Sequence, residues 1–262
     1  MANSHGEFIW FELLTGDHQA AKHFYDGVVG WDIEPQPSAP GGIDYRMIRT
    51  ASGHPGGVMQ LTDEMRAGGA RPTWLGYIGV DDVDRVVAQV VEAGGNVMMP
   101  ATDMPGVGRM AMLTDPQGVA FYVMRGASSE SSTAFSPDEP GHGAWNELNT
   151  TDAVAAQKFY VALLGFEPTE SMDMGPEFGS YLMWKSGGVS KGGISSMAKA
   201  QGFPPSWLYY ITVDDLDAAL QITKARGGQV LNGPMDVPGG DRVAQCLDPQ
   251  GGAFALHENA KS

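Results

Sequence analysis

The sequence of this chain is written twice, and the two copies lie about 135 residues apart. Trp10-Phe11-Glu12-Leu13 returns as Trp145-Asn146-Glu147-Leu148, and Asp17 returns as Asp152. Ala20-Ala21-Lys22-His23-Phe24-Tyr25 returns as Ala155-Ala156-Gln157-Lys158-Phe159-Tyr160, and Gly30 as Gly165. Further on, Trp74-Leu75 matches Trp207-Leu208, Val80-Asp81-Asp82 matches Val213-Asp214-Asp215, and Asp115-Pro116-Gln117-Gly118 matches Asp248-Pro249-Gln250-Gly251. The offset is 135 early and 133 later, so one two-residue gap in the glycine-rich stretch between would reconcile the copies. The matches fall at turns, helix starts and apolar positions, as they should if each copy builds the same fold.

Composition fits two domains of ordinary size: 262 residues, 42% of them hydrophobic, let each copy bury a core. The boundary is visible at Gly126 to Gly141, a run rich in Ser, Gly, Pro and acidic residues with little to bury. This predicts a first domain over 1–126, a linker over 127–140 and a second domain over 141–262. Sixteen Lys+Arg against thirty-one Asp+Glu give a formal charge of -15, which repels phosphate backbones and anionic membrane surfaces. No apolar run is long enough to span a bilayer, and the N-terminus lacks the basic and apolar regions of a signal peptide. The single cysteine, Cys246, sits in an apolar run and reads as a buried, inert thiol of a reduced cytoplasmic protein.

Within each copy the order of elements can be read coarsely. Phe8 to Leu14 reads as a strand; Asp17 caps a helix whose stripe is Ala20, Ala21, Phe24, Tyr25 and Val28, with Gly30 as its stop. Tyr45 to Ile48 and Val58 to Leu61 read as strands around a Gly/Pro turn cluster that includes Gly56 and Gly57. A second strand, Trp74 to Val80, precedes a helix striped by Val83, Val86, Val87, Val90 and Val91, then short strands in which methionines read as core filler. Each copy thus holds two units of strand, helix and about three strands, and the chain holds four.

That pattern, with D-x-x-A-A-x-x-F-Y in the first helix and D-P-x-G before the last strand of each copy, resembles the vicinal oxygen chelate superfamily of glyoxalases, bleomycin-resistance proteins and extradiol dioxygenases. The resemblance implies an α+β fold: four βαβββ modules forming two pseudo-symmetric glyoxalase-like domains, each with a curved mixed-sheet cup. It does not by itself imply a function, because one fold hosts many chemistries. In metal-dependent members, four strand positions per cup carry His, Gln or Glu. By motif those positions fall here on Trp10, Gln60, Leu75 and Tyr122, and on Trp145, Ser196, Leu208 and Ala255. Among the eight, Gln60 alone has a plausible ligand for a divalent metal, which needs several N or O donors. The resemblance therefore implies a cup without the family's metal site and without a cofactor.

Strand parity fills the cups instead. If Trp10 faces inward so does Glu12, and Glu147 follows Trp145; Tyr77 and Tyr210 share a face with Leu75 and Leu208, and His257 with Ala255. Trp10, Gln60, Tyr77, Tyr122, Trp145, Tyr210 and His257 are the candidate ligand-binding residues, and Glu12 and Glu147, one in each cup, the candidate acid/base groups. A structural alternative pairs Glu12 and Glu147 with Arg109 and Arg242, which occupy matching positions. Aromatic floors with few polar anchors suit a flat, partly apolar or cationic small molecule. The sequence therefore predicts a metal-independent small-molecule binder, monomeric or weakly dimeric. The alternative is a glyoxalase- or dioxygenase-like enzyme using a metal at non-standard positions or acid/base chemistry through Glu12 or Glu147. The loops Glu34 to Gly42 and Glu170 to Gly179 read as lids over the cups, and His5, His18, His23, His54 and His142 as mostly surface residues.

Overall fold

The computed structural model describes residues 3–38 and 42–261, so residues 39–41 of the first predicted lid lie outside the described residues. The first copy runs β1 (Phe8–Thr15), α1 (His18–Val28), β2 (Asp32–Ile33), β3 (Tyr45–Arg49), β4 (Gly56–Gln60), α2 (Asp63–Ala67), β5 (Thr73–Gly79), α3 (Val83–Glu92), β6 (Asn96–Met104), β7 (Gly108–Thr114) and β8 (Ala120–Gly126). The second runs β9 (Gly143–Asn149), α4 (Ala153–Leu164), β10 (Glu167–Asp173), β11 (Ser180–Ser186), β12 (Val189–Ser195), α5 (Met197–Gln201), β13 (Ser206–Thr212), α6 (Leu216–Ala225), β14 (Gln229–Asp236), β15 (Arg242–Leu247) and β16 (Ala253–Glu258). The eight strands of each copy form one mixed sheet, in the orders β2-β3-β4-β1-β5-β8-β7-β6 and β10-β11-β12-β9-β13-β16-β15-β14. The predicted α+β class and its four modules are what the chain forms.

Local chemistry sets the helices. Asp17 sits in extended backbone and accepts from the N–H groups of Gln19 and Ala20; Asp82, Asp152 and Asp215 do the same for the first turns of α3, α4 and α6. The valine stripe of α3 buries Val83, Val86 and Val90, which offsets its modest helix propensity, whereas Val91 is exposed. The short helices α2 and α5 have no counterpart in the predicted elements. Glu170 to Asp173, read as part of a lid, are the end of β10, and Ser171 to Asp173 pair with β11.

The chain folds into two compact units. One comprises residues up to Ile9, Gly76–Ser132 and Trp145–Leu208; the other comprises Trp10–Leu75, Thr133–Ala144 and residues from Tyr209 onward. In the first unit Tyr160 of α4 packs on Phe121, Phe166 and Trp207, and Phe166 stacks on Trp184 with centroids 3.7 Å apart. In the second, Tyr25 of α1 packs on Trp31, Trp74 and Phe254. Each unit thus centres on a buried tyrosine ringed by aromatics, an arrangement that adds ring-geometry terms to area burial.

The Ser/Pro-rich stretch is more closely held than its composition suggests. Ala134 is fully buried, Gly141 N–H donates to Thr212 O, and the Trp31 indole donates to Gly141 O at 2.8 Å. His142, read as a surface residue, is fully buried: Nδ1 lies 2.6 Å from Thr133 O, and Nε2 lies 2.8 and 3.0 Å from the hydroxyls of Thr50 and Ser52. A carbonyl can only accept, so Nδ1 carries the proton there. Met98 and Met104, read as core filler, are exposed because β6 is an edge strand.

Candidate functional site

The site is built first on β9, β11 and β12. Trp145 and Glu147 stand two apart on β9, and Tyr181 of β11 joins them. The Trp145 indole N–H donates to Tyr181 Oη at 2.7 Å, and Tyr181 Oη donates to Glu147 Oε2 at 3.1 Å. Asn149 Nδ2 donates to Glu147 Oε1 at 2.9 Å, and Ser195 Oγ donates to Asn149 Oδ1 at 2.8 Å. Every donor in this chain points toward the carboxylate, which accepts from two sides and is half-buried. Such charge-assisted bonds are the stronger kind and hold the carboxylate in one place.

The equivalent group in the other unit is Trp10, Glu12 and Tyr45, on β1 and β3. The Trp10 indole N–H donates to Tyr45 Oη at 2.6 Å. Trp10 and Tyr45 are half-buried and Glu12 is buried at 2% exposure. Parity therefore brings together what the sequence reading expected, Trp10 with Glu12 and Trp145 with Glu147, but Tyr45 and Tyr181 were not among the candidates. The signal existed: Tyr45-Arg46-Met47 returns as Tyr181-Leu182-Met183 at an offset of 136. The copies therefore differ by more than one gap, and the single-gap alignment hides this match.

The remaining candidates divide. Tyr77 and Tyr122 face each other on the parallel pair β5 and β8 and stack, centroids 4.2 Å apart and 7° from parallel. Tyr210 accepts from Gln245 Nε2 at 2.9 Å and pairs across the ladder with Ala255. His257 is buried between Asp241, 3.1 Å from Nε2, and Thr212, 3.3 Å from Nδ1. Gln60 turns toward the start of α1: its Oε1 accepts from the His18 backbone and approaches His18 Nδ1, while its Nε2 donates to Gly16 O. Leu75 and Leu208 are buried apolar side chains, as is Ala255.

The alternative pairing of the glutamates with Arg109 and Arg242 does not occur. Arg109 forks onto Asp84 and also binds Asp103; Arg242 forks onto Asp217 and also binds Glu258. The Arg109 hydrogen bonds hold the Asp84 carboxyl below its ordinary value, and Arg242 does the same for Asp217. Both guanidinium groups are thus already committed to carboxylates on other elements. Among the described residues, no group of three or more His, Cys, Asp or Glu could hold a metal ion. No helix among them is long and apolar enough to cross a membrane.

Two sheets of repeated βαβββ units, each copy carrying a Trp-x-Glu strand and a tyrosine bonded to its indole, define a glyoxalase-type protein by architecture. The model of the Glyoxalase/Bleomycin resistance protein/Dioxygenase superfamily matches residues 7–123 and again 141–256, and the chain belongs to that superfamily. It is 37% identical over 247 residues to "Putative glyoxylase CFP32" of Mycobacterium tuberculosis, covering 94% of this chain and 92% of that one. It is 32% identical over 263 residues to the anthracycline biosynthesis protein DnrV of Streptomyces peucetius, covering 95% and 92%. Among solved structures, the Mn(II)-bound glyoxalase from Novosphingobium aromaticivorans aligns with a TM-score of 0.69 at 16% identity, covering 100% of this chain and 84% of that one. An extradiol ring-cleaving dioxygenase from B. fuscum aligns at 0.67 and 16%, covering 99% and 73%. At such identities the structural likeness speaks to the fold.

Proposed function

We propose that the chain binds a small, planar or partly apolar organic molecule against its Trp–Tyr–carboxylate groups, and that it does so without the divalent metal of the family's enzymes. The observation that carries this reading is the relay from Trp145 through Tyr181 to Glu147, fixed on its other side by Asn149 and Ser195. It offers half-exposed aromatic surface beside a fixed polar anchor, the composition of small-molecule sites. The metal-free part is supported by the donor chemistry at the family's ligand positions. Trp10, Leu75, Tyr122, Trp145, Leu208 and Ala255 supply no usable set, and Gln60 is engaged by the α1 start. The name of the relative DnrV places that protein in anthracycline biosynthesis, which agrees with a planar aromatic ligand class.

A second reading, catalysis, is favoured by one observation: Glu12 is a carboxylate at 2% exposure, two residues along β1 from Trp10. The "glyoxylase" name of the mycobacterial relative agrees with it. Elemental analysis of purified protein, followed by titration with aromatic ligands and with dicarbonyl–thiol adducts, separates the two. Saturable tryptophan quenching without turnover is the expected result. A stoichiometric divalent metal that survives dialysis, with turnover abolished by a chelator, would replace the binder by a metalloenzyme.

A further inference from the structure

The glycines beneath the two tyrosines have a specific job. Gly57 and Gly193 are mid-strand residues of β4 and β12, each level with a glutamate in the ladder: Glu12 with Gly57, Glu147 with Gly193. Neither backbone is in the left-handed region, so no turn demands glycine there. Glycine inside a strand normally costs stability and marks close approach of another group. The approaching group is the tyrosine: a Cβ on Gly57 would meet the Tyr45 ring and hydroxyl, and one on Gly193 the Tyr181 ring and hydroxyl, closer than the 3.0 Å that real Cβ atoms keep. The bare strand lets the hydroxyl end of each ring come close to it, and there Oη accepts from the tryptophan indole.

That placement fixes the polarity of the site. In the second copy the indole N–H is given to Tyr181 and the Tyr181 O–H to Glu147, while Asn149 adds its amide to the same carboxylate. The relay spends its own N–H and O–H internally and ends on oxygens that only accept. In the first copy the Trp10 N–H is likewise given to Tyr45. An anion would meet a carboxylate beside an indole N–H already given away, whereas an ammonium would meet a carboxylate able to accept a charge-assisted bond from it, beside two aromatic residues.

We propose that Gly57 and Gly193 are positioning residues that let Tyr45 and Tyr181 reach the indoles, and that Gly193, through Tyr181, makes the half-buried Glu147 site a hydrogen-bond-accepting anchor that takes amine-bearing, cationic ligands and rejects anionic ones. The proposal rests on the binder reading above. The test is calorimetric titration of the full chain with naphthylmethylamine and with naphthoate, matched rings of opposite charge. The amine should bind roughly tenfold tighter or more, the order expected of one charge-assisted contact. Tyr181→Phe, which returns the Trp145 N–H to the site, and Gly193→Ala, which displaces the ring, should each narrow that preference. In both, the Trp145 indole proton resonance should leave its hydrogen-bonded position. Gly193→Ala should lower Tm when Tyr181 is present and leave it unchanged in a Tyr181→Ala background. Equal binding of the two probes, or a preference and indole resonance untouched by both variants, overturns the proposal while leaving the binder reading intact. Binding of neither probe overturns the binder reading itself.

Discussion

The hydroxyl of Tyr25 donates to Asp248 Oδ2 at 3.0 Å, across 223 residues of chain. Its counterpart is Tyr160, whose hydroxyl donates to Asp115 Oδ2 at 3.2 Å. The F-Y of one copy therefore meets the D-P-Q-G of the other, in both directions. Each aspartate uses its second oxygen to close its own turn: Asp248 Oδ1 accepts from Gln250 and Gly252 N–H, Asp115 Oδ1 from Gln117 and Val119 N–H. The two most visible repeated motifs are thus partners, and each compact unit draws one motif from each copy.

Removing one hydroxyl should show this. Tyr25→Phe leaves Asp248 Oδ2 and the Trp74 indole, which donates to Tyr25 at 2.9 Å, without that buried partner. The expected cost is roughly 1–3 kcal/mol in urea unfolding. The same bond predicts a pH effect. Burial, and secondly the charge of Asp248, raise the Tyr25 hydroxyl well above its ordinary value of 10.0. Above pH 10 the unfolded chain releases that proton and the folded chain keeps it, so stability falls as pH rises. In Tyr25→Phe the alkaline fall in Tm should be shallower; an unchanged slope would deny Tyr25 its role.

How much of this was readable follows from which residues announce themselves. Asp17, Asp82, Asp152 and Asp215 are caps whose chemistry is local, so the helices could be read from the letters. Trp10 with Glu12 and Trp145 with Glu147 follow from parity. Tyr45, Tyr181, Gly57 and Gly193 do not, since the glycines resemble turn residues and their purpose lies on a neighbouring strand. Gln60 and His257 look like ligands because amide and imidazole are ligand chemistry, but their partners, His18 and Asp241, come from elsewhere in the chain.

The site and the core should part company on mutation. Trp145 is half-buried, so Trp145→Ala should cost well under the roughly 3–5 kcal/mol typical of a buried tryptophan, yet remove ligand binding. Trp184, fully buried and stacked on Phe166, should show the full cost. Paired urea melts and ligand titrations of the two variants decide it. Equal destabilisation would make Trp145 a core residue.

Cys246 should be silent in the folded protein. It is fully buried, and burial pushes its thiol up to about 12. The thiolate is the reactive form, so a disulfide reagent at pH 8 should label the chain in denaturant and not in buffer. Rapid native labelling would mean that β15 opens readily.

Two further glycines test the sheets rather than the site. Gly56 and Gly192 sit next to the tyrosine-bearing pair, but a Cβ there would run into backbone: the carbonyl of Phe11 in one unit and that of Asn146 in the other, both closer than 3.0 Å. A flexible side chain can swing away from such a clash; a carbonyl held in a parallel ladder cannot. β4 would have to separate from β1, and β12 from β9, so Gly56→Ala and Gly192→Ala should each cost more than ~3 kcal/mol, beyond ordinary overpacking. Gly30 supplies the contrast. Its φ is +83° but nothing lies within 4 Å of its would-be Cβ, so Gly30→Ala meets only backbone strain, roughly 1 kcal/mol. If urea midpoints rank Gly30→Ala as more damaging than Gly56→Ala, the β1–β4 register described above is wrong.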